Sequence, residues 1–85
     1  MNKEKIKEKI YALMKNRLKR LGMNTSDVDE YSSLLGQGIY DSMAFIELIS
    51  EIEKCFDIEI DFEEMDASDF LSVNQIVNII YDNVN

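Results

Sequence analysis

The chain has no histidine, no tryptophan and a single cysteine, Cys55, among its 85 residues. Without histidine, neither a Ser-His-acid triad nor a metal site with cysteine and histidine ligands can be built. One cysteine cannot form an internal disulfide, so we expect a domain held by packing alone in a reducing, cytoplasmic location. The nearby acids Glu51, Glu53 and Asp57 disfavour a thiolate, so we interpret Cys55 as an inert helix residue.

Long apolar runs are also absent, and the sequence therefore predicts no membrane insertion. Residues 1–5 contain lysines but are not followed by a continuous apolar stretch, which argues against a secretory signal. Hydrophobic residues make up 46% of the chain, enough for a real core. We expect residues 1–85 to form one domain, because a core of this size has no room to divide.

The chain has a net charge of −8, and its charged residues are distributed unevenly along the sequence. Residues 1–20 hold eight of the nine basic side chains, whereas residues 21–85 hold fifteen acids and only Lys54 as a base. An acidic body repels nucleic acid and steers association with basic surfaces, so we expect no nucleic-acid partner. The basic first segment could in principle touch nucleic acid or an anionic membrane, but a solvated helix face is the favoured interpretation.

An acidic run at Asp57, Glu59 and Asp61 raises the question of a calcium loop. An EF-hand loop that began at Asp57 would need glycine at its sixth position and glutamate at its twelfth. Phe62 and Ser68 occupy those two places. The sequence therefore predicts no specific metal site.

Apolar residues at helical spacing predict three main helices. The first ends before Gly22, a residue that commonly follows the last turn. The second covers residues 42–56 with Asp41 as its N-cap, and the last opens with a capping box of Ser72 and Gln75. We expect the buried stripes to contain Ile6, Ile10, Leu13, Met14, Leu18 and Leu21; Phe45, Leu48, Ile49, Ile52 and Phe56; and Val73, Ile76, Val77, Ile80 and Val84.

The connections complete the predicted fold. Residues 23–41 form a long polar loop, which three apolar side chains can pin to the core: Leu34, Leu35 and Ile39. Residues 58–62 alternate like a strand but have no second strand to pair with, so we expect an extended connector. Residues 66–71 look like one short helical turn. The prediction is an all-α, small four-helix bundle of three main helices and a short one, with the long loop between the first and second helices.

Ser42 is the candidate site, because it stands where the long loop meets the second helix. With no base beside it, this serine is a poor nucleophile of its own, and we expect no catalytic residue in the chain. A helix start offers free backbone N–H groups and a positive dipole end to a phosphate that another enzyme attaches. Because Asp41 already serves as the cap, the Ser42 hydroxyl is expected to be free for such a modification.

Three segments at and after Ser42 form a recognisable pattern: Gly38-Ile39-Tyr40-Asp41-Ser42-Met43, Ile46-Glu47-Leu48-Ile49 and Glu53-x-x-Phe56-x-Ile58-x-Ile60. This pattern resembles the attachment region of acyl and peptidyl carrier proteins, and the order of helices along the whole chain is similar too. The resemblance implies that Ser42, next to Asp41, accepts 4′-phosphopantetheine from coenzyme A through a separate phosphopantetheinyl transferase. The thiol of that cofactor then carries an acyl or aminoacyl group as a thioester, which a loading ligase supplies and downstream transferases use.

The exposed side of the second helix is the expected partner surface, and we expect the carrier to be a stand-alone monomer. Glu47 matches a position that fatty-acid carriers use, whereas Ala44 replaces an acid common in them. Asp-Ser-Met and residues 69–76 look more like carriers served by adenylating ligases, including D-alanyl carriers. Fatty-acid, polyketide, peptide and D-alanine cargo stay open, as does a non-covalent helical adaptor with Ser42 unmodified. The residues expected to meet partners are Met43, Ile46, Glu47, Ser50 and Glu51.

Overall fold

The computed structural model describes residues 2–60 and 72–84, and over these ranges it is all-α with no strand. Three α-helices follow one another along the chain: α1 (Lys3–Arg20), α2 (Ser42–Phe56) and α3 (Val73–Val84). A 3-10 helix (Thr25–Asp27) interrupts the loop between α1 and α2. The all-α prediction with a long first loop is therefore confirmed, whereas the short helix predicted at 66–71 lies outside the described residues.

Local sequence signals set the ends of α1. The Asn2 side chain accepts a hydrogen bond from the Lys5 amide at 2.9 Å and caps the first turn. At the other end Gly22 adopts a left-handed φ of 71°, and the Met23 amide reaches back to the Leu18 carbonyl at 2.8 Å. This is the Schellman arrangement, in which a residue without a side chain takes the strained position. The predicted stop at Gly22 is confirmed.

α1 packs against both α2 and α3, and side chains from all three helices fill one core. Each helix contributes apolar residues at spacings of three and four, as the sequence predicts. The loop side chains Leu34 and Ile39 are fully buried and Leu35 is half-buried, so the loop is pinned to the core as expected. The buried helix residues are Ile6, Ile10, Met14, Leu18, Phe45, Leu48, Ile49, Ile52, Val73, Ile76, Val77 and Ile80.

Four residues of the predicted buried stripes are less buried than expected. Leu21 is 45% exposed, because it caps α1 beyond the last helical turn and so leaves the buried stripe. Phe56 is only half-buried, since α2 ends there and the chain turns away through Asp57 at a φ of 54°. Leu13 and Val84 are half-buried as well. The stripe pattern thus predicts the face of each helix more accurately than the depth of its end residues.

The predicted connector and capping box are both confirmed where the structure describes them. Residues 58–60 have no regular structure, and residues 61–62 of the predicted connector lie outside the described residues. The Ile60 side chain is buried, and the Ile60 amide donates to the Glu53 carboxylate at 3.0 Å. At the start of α3, the Gln75 amide donates to the Ser72 hydroxyl at 3.2 Å, and the Ser72 amide donates to the Gln75 side chain at 2.8 Å. Among the described helices, none is long and apolar enough to cross a membrane.

The loop between α1 and α2 is closed by the side chain of Gln37. Its oxygen accepts from the Asp29 amide at 2.9 Å, and its nitrogen donates to the carbonyls of Asp29 and Ser32 at 2.8 and 2.9 Å. The Asn74 amide of α3 donates to the Glu30 carbonyl at 2.8 Å and ties this part of the loop to the last helix. The loop therefore reaches α2 along a defined path.

Candidate functional site

The first turn of α2 is built on Asp41. The backbone of Asp41 is extended, with φ −91° and ψ 177°, and its carboxylate accepts a hydrogen bond from the Ala44 amide at 2.8 Å. Its carbonyl accepts the first helical hydrogen bond, from the Phe45 amide at 2.9 Å. Asp41 is therefore the N-cap of α2, as the sequence predicts.

Ser42 is the first residue of α2 and is exposed. Within the described ranges its hydroxyl has no hydrogen-bond partner, because the capping role belongs to Asp41. The amides of Ser42 and Met43 also lack acceptors among the described residues, as expected at a helix start. These N–H groups and the helix dipole make the surroundings of Ser42 favourable for a phosphate.

The segment that leads into Ser42 is fixed to the core by its own buried side chains and by Arg17, which is not among the residues selected from the sequence. Gly38 takes a φ of 76°, which turns the chain inward, and the next two side chains, Ile39 and Tyr40, are buried. Arg17 on α1 donates from Nε to the Ile39 carbonyl at 2.8 Å, and its guanidinium carbon lies 5.4 Å from the centre of the Tyr40 ring. The site thus includes one residue of α1.

A sequence signal for Arg17 does exist. This arginine follows Ile10 by seven residues and Met14 by three, which puts a charged side chain beside the buried stripe of α1. Its contact with the segment before Ser42 depends on how α1 and the loop pack, and residue spacing alone does not contain that information.

Burial raises the pKa of the Tyr40 phenol to about 12, since the charged form loses solvation. The positive Arg17 opposes this shift, and the negative Glu51 adds to it. Tyr40 is therefore neutral near pH 7, and its ring serves as a face against which the guanidinium can pack.

The side of α2 expected to meet partners is exposed. Met43 is 76% exposed and Ile46 58% exposed, which is unusual for apolar residues of this size. The helical spacing puts them on one side of α2 together with Glu47, Ser50 and Glu51, all of which are also exposed. All five residues selected from the sequence thus share one surface that starts next to Ser42.

A groove of about 400 Å³ runs between α1 and α2 beside this surface. Arg17 and Arg20 line it from α1, while Glu47 and Glu51 line it from α2. Glu47 and Glu51 therefore stand at the edge between the exposed face of α2 and the groove. Ala44 is half-buried and also lines the groove. This residue, which replaces an acid common in fatty-acid carriers, therefore faces partly towards α1.

Comparison with known families gives the family of the chain. Residues 9–80 match the family described as "Phosphopantetheine attachment site". The chain belongs to this carrier family. Neither a search of curated proteins nor a search of solved structures found a match. Carrier domains of this family do not catalyse reactions, hold 4′-phosphopantetheine and are modified by phosphopantetheinyl transferases.

The described residues fit the cofactor of the carrier family. Attachment needs an accessible hydroxyl and room for a phosphodiester, and the exposed start of α2 provides both at Ser42. In the described part of the chain, no group of three or more His, Cys, Asp or Glu residues is arranged to hold a metal ion. Asp57 and Glu59 of the acidic run are exposed, and Asp61 lies outside the described residues.

Proposed function

We propose that this member of the carrier family is a stand-alone carrier protein whose 4′-phosphopantetheine is attached to Ser42. The observation that supports the site is the exposed hydroxyl of Ser42, which has no partner among the described residues and stands at the capped start of α2. Asp41 fixes that start and leaves the hydroxyl accessible. Ser42 also lies near the middle of the matched region.

The attachment reaction is a phosphoryl transfer. The Ser42 oxygen forms a bond to the phosphorus that carries the pantetheine in coenzyme A, and the bond from that phosphorus to adenosine 3′,5′-bisphosphate breaks. The hydroxyl proton leaves to a base that the transferase must supply, because the described surroundings of Ser42 hold no such group except the capping carboxylate of Asp41. When bound, the cofactor supplies a terminal thiol that carries cargo as a thioester.

The chain itself contributes position and charge. The unpaired amides of Ser42 and Met43 and the positive end of the α2 dipole stabilise the negative phosphodiester. A helix start fixed by a cap and by buried neighbours gives the flexible arm a rigid base. No general base or oxyanion site is needed in a protein that only carries the thioester.

A loading assay with a matched serine control tests the attachment site. The protein, coenzyme A, magnesium and a broad-specificity phosphopantetheinyl transferase are incubated, and intact mass is followed by fragmentation to the modified residue. We expect one cofactor mass on the wild type, none on Ser42→Ala and full addition on Ser26→Ala, which removes an exposed serine of the 3-10 helix outside α2. Loading of Ser42→Ala would place the site elsewhere, and an unmodified wild type would favour the non-covalent adaptor.

The exposed side of α2 is the proposed docking surface for the transferase, the loading ligase and the downstream transferases. The mixture of exposed apolar side chains, Met43 and Ile46, with carboxylates supports this role. Apolar contacts bring binding energy, whereas charge gives fast association and orientation without a large buried interface. Such weak, rapid docking suits a carrier that visits several enzymes in turn. The remaining residues of the proposed surface are Glu47, Ser50 and Glu51.

The cargo is proposed to be an aminoacyl or acyl group loaded by an adenylating ligase, with D-alanine as one candidate. Ala44, in place of the acid common in fatty-acid carriers, supports this over fatty-acid synthesis. Intact mass of the protein from its native cells would identify the thioester and would test the stand-alone length of 85 residues. Size-exclusion chromatography with light scattering would test the predicted monomer, and cell fractionation would test the cytoplasmic location.

A further inference from the structure

The geometry points to Arg17 as a positioning residue for the attachment reaction: it holds the segment before Ser42 so that the hydroxyl is presented to the transferase in one place. This inference rests on the proposed attachment at Ser42. The two contacts that carry it are the hydrogen bond from Arg17 Nε to the Ile39 carbonyl at 2.8 Å and the guanidinium packed 5.4 Å from the centre of the Tyr40 ring.

The segment depends on Arg17 because its own backbone hydrogen bonds are long. The amides of Ile39 and Tyr40 both reach the Leu34 carbonyl, at 3.3 and 3.4 Å, so two donors share one acceptor. The bond from Arg17 is shorter and charge-assisted, and such bonds are the stronger kind. Arg17 is therefore the firmest polar attachment between α1 and the chain that enters α2.

The position of this attachment matters for Ser42. The carbonyl that Arg17 holds belongs to Ile39, and only Tyr40 and Asp41 separate that residue from Ser42. Asp41 fixes the start of α2 from one side, through the Ala44 amide, and Arg17 fixes the incoming chain from the other. With both in place the Ser42 hydroxyl has a defined direction. Without Arg17, the cap remains while the approach to it loosens.

Arg20 provides a matched control. It is a second arginine on the same α1 turn, exposed, and it lines the same groove between α1 and α2. Within the described residues its side chain has no hydrogen bond, ion pair or ring contact. Loss of Arg20 therefore removes the same charge from the same region and leaves the segment before Ser42 untouched.

The test compares steady-state modification of wild type, Arg17→Met and Arg20→Met by one phosphopantetheinyl transferase with coenzyme A and magnesium. Methionine keeps much of the apolar stem of arginine and removes the guanidinium. We expect Arg17→Met to lower kcat about tenfold, the effect of one lost charge-assisted hydrogen bond, with the KM for the carrier nearly unchanged. Arg20→Met should match the wild type in kcat.

A readout that a general loss of stability would not move accompanies the kinetics. Assays are run well below the melting temperature of each variant, and amide NMR resonances of Tyr40, Asp41 and Ser42 are compared with those of α3. We expect Arg17→Met to shift or broaden the three loop resonances and to leave α3 unchanged. Arg17→Lys keeps the charge but lacks the planar guanidinium, so its kcat should lie between those of the wild type and Arg17→Met. If Arg17→Met does not fold, the kcat of Arg17→Lys tests the role of Arg17 in its place.

The outcomes separate this inference from the proposed function. If the wild type is not modified at Ser42, the proposed function fails and the role of Arg17 fails with it. If the wild type is modified at Ser42 and Arg17→Met matches it in kcat, only the role of Arg17 is overturned. A raised KM with unchanged kcat would also overturn it, because Arg17 would then belong to the docking surface.

Discussion

The Lys7 ammonium of α1 lies 3.3 Å from the Glu30 carboxylate of the long loop. The hydrogen bond and the negative charge of Glu30 raise the pKa of Lys7 above its usual value. Within the described residues the only other ion pair also uses Lys7, with Glu4 at 3.7 Å. The basic residues of α1 are thus not widely paired with the acids of residues 2–60 and 72–84, although they carry most of the positive charge of the chain.

We therefore predict that salt stabilises the protein. Raising the ionic strength from about 0.01 M to about 0.15 M shortens the Debye length from about 30 Å to about 8 Å and screens repulsion between like charges. The melting temperature should rise across a sodium chloride series. The increase should be larger for Glu30→Gln than for the wild type, because the variant lacks the attraction to Lys7 that salt would weaken. A melting temperature that falls with salt would mean that attraction between α1 and the acidic residues outweighs repulsion.

Reversal of one charge on the proposed docking surface should slow modification through association. Glu47→Lys is expected to lower kcat/KM for phosphopantetheinyl transfer several-fold at low salt, with the difference shrinking as salt is added. Glu8→Lys makes the same charge change at an exposed position of α1 beside Thr25, away from the exposed face of α2. If both variants react alike at low salt, docking lies on another surface.

Two phenylalanines of α2 should differ in their effect on stability. Phe45 is 1% exposed, so Phe45→Ala should lower the free energy of unfolding by about 3–5 kcal/mol, the range for large aromatic deletions in cores. Phe56→Ala should lower the free energy of unfolding by less than that range, because the Phe56 ring is only half-buried. The ammonium nitrogen of Lys9 on α1 lies 5.6 Å from the centre of that ring. Urea unfolding of both variants measures the difference, and equal losses would contradict the observed burial.

Alkaline pH should destabilise the protein partly through Tyr40. Its pKa is about 12 in the folded state and about 10 in an unfolded chain. Between these values the unfolded state gives up a proton that the folded state keeps, so this contribution is complete below about pH 10 and is lost towards pH 12.

Tyr40→Phe isolates that contribution. Glu30 raises the pKa of Lys7 and burial raises the pKa of Tyr11, and both act in the same direction, but the variant keeps both residues. The wild type should therefore lose stability with a steeper pH dependence than the variant because of Tyr40 alone. Urea unfolding between about pH 9 and pH 11, with tyrosinate absorbance recorded in parallel, measures both quantities. Equal slopes for the two proteins would show that Tyr40 titrates normally.

The three described α-helices and the place of Ser42 at the start of α2 were predictable from the sequence. Periodic apolar residues define the inward face of each helix, and a cap at Asp41 or Ser72 is a local signal that acts within four residues. Ser42 could be placed at the start of α2 because the Asp41 cap next to it is such a local signal. The 3-10 helix at Thr25–Asp27 was not predicted, although Asn24 and Asp27 form a capping box there.

Contacts between distant parts of the chain could not be predicted. Val28 and Tyr40 lie in a polar loop with no periodic pattern, and their burial depends on how the loop packs against the helices. The hydrogen bond from Arg17 joins residues that are 22 positions apart. The exposure of Leu21 has a local cause instead: it follows from the end geometry of α1 and not from its spacing in the stripe.

The hydrogen bond from the Asn74 amide to the Glu30 carbonyl gives the loop a built-in spectroscopic reporter. Amides in the first turn of a helix ordinarily face water and exchange their protons quickly, because the helix offers them no acceptor. Asn74 has one only while the loop lies against α3. Protection of this single proton from deuterium exchange therefore measures how often the loop detaches. The same resonance, followed as each enzyme is added, would show whether a partner that approaches α2 also loosens the far end of the domain.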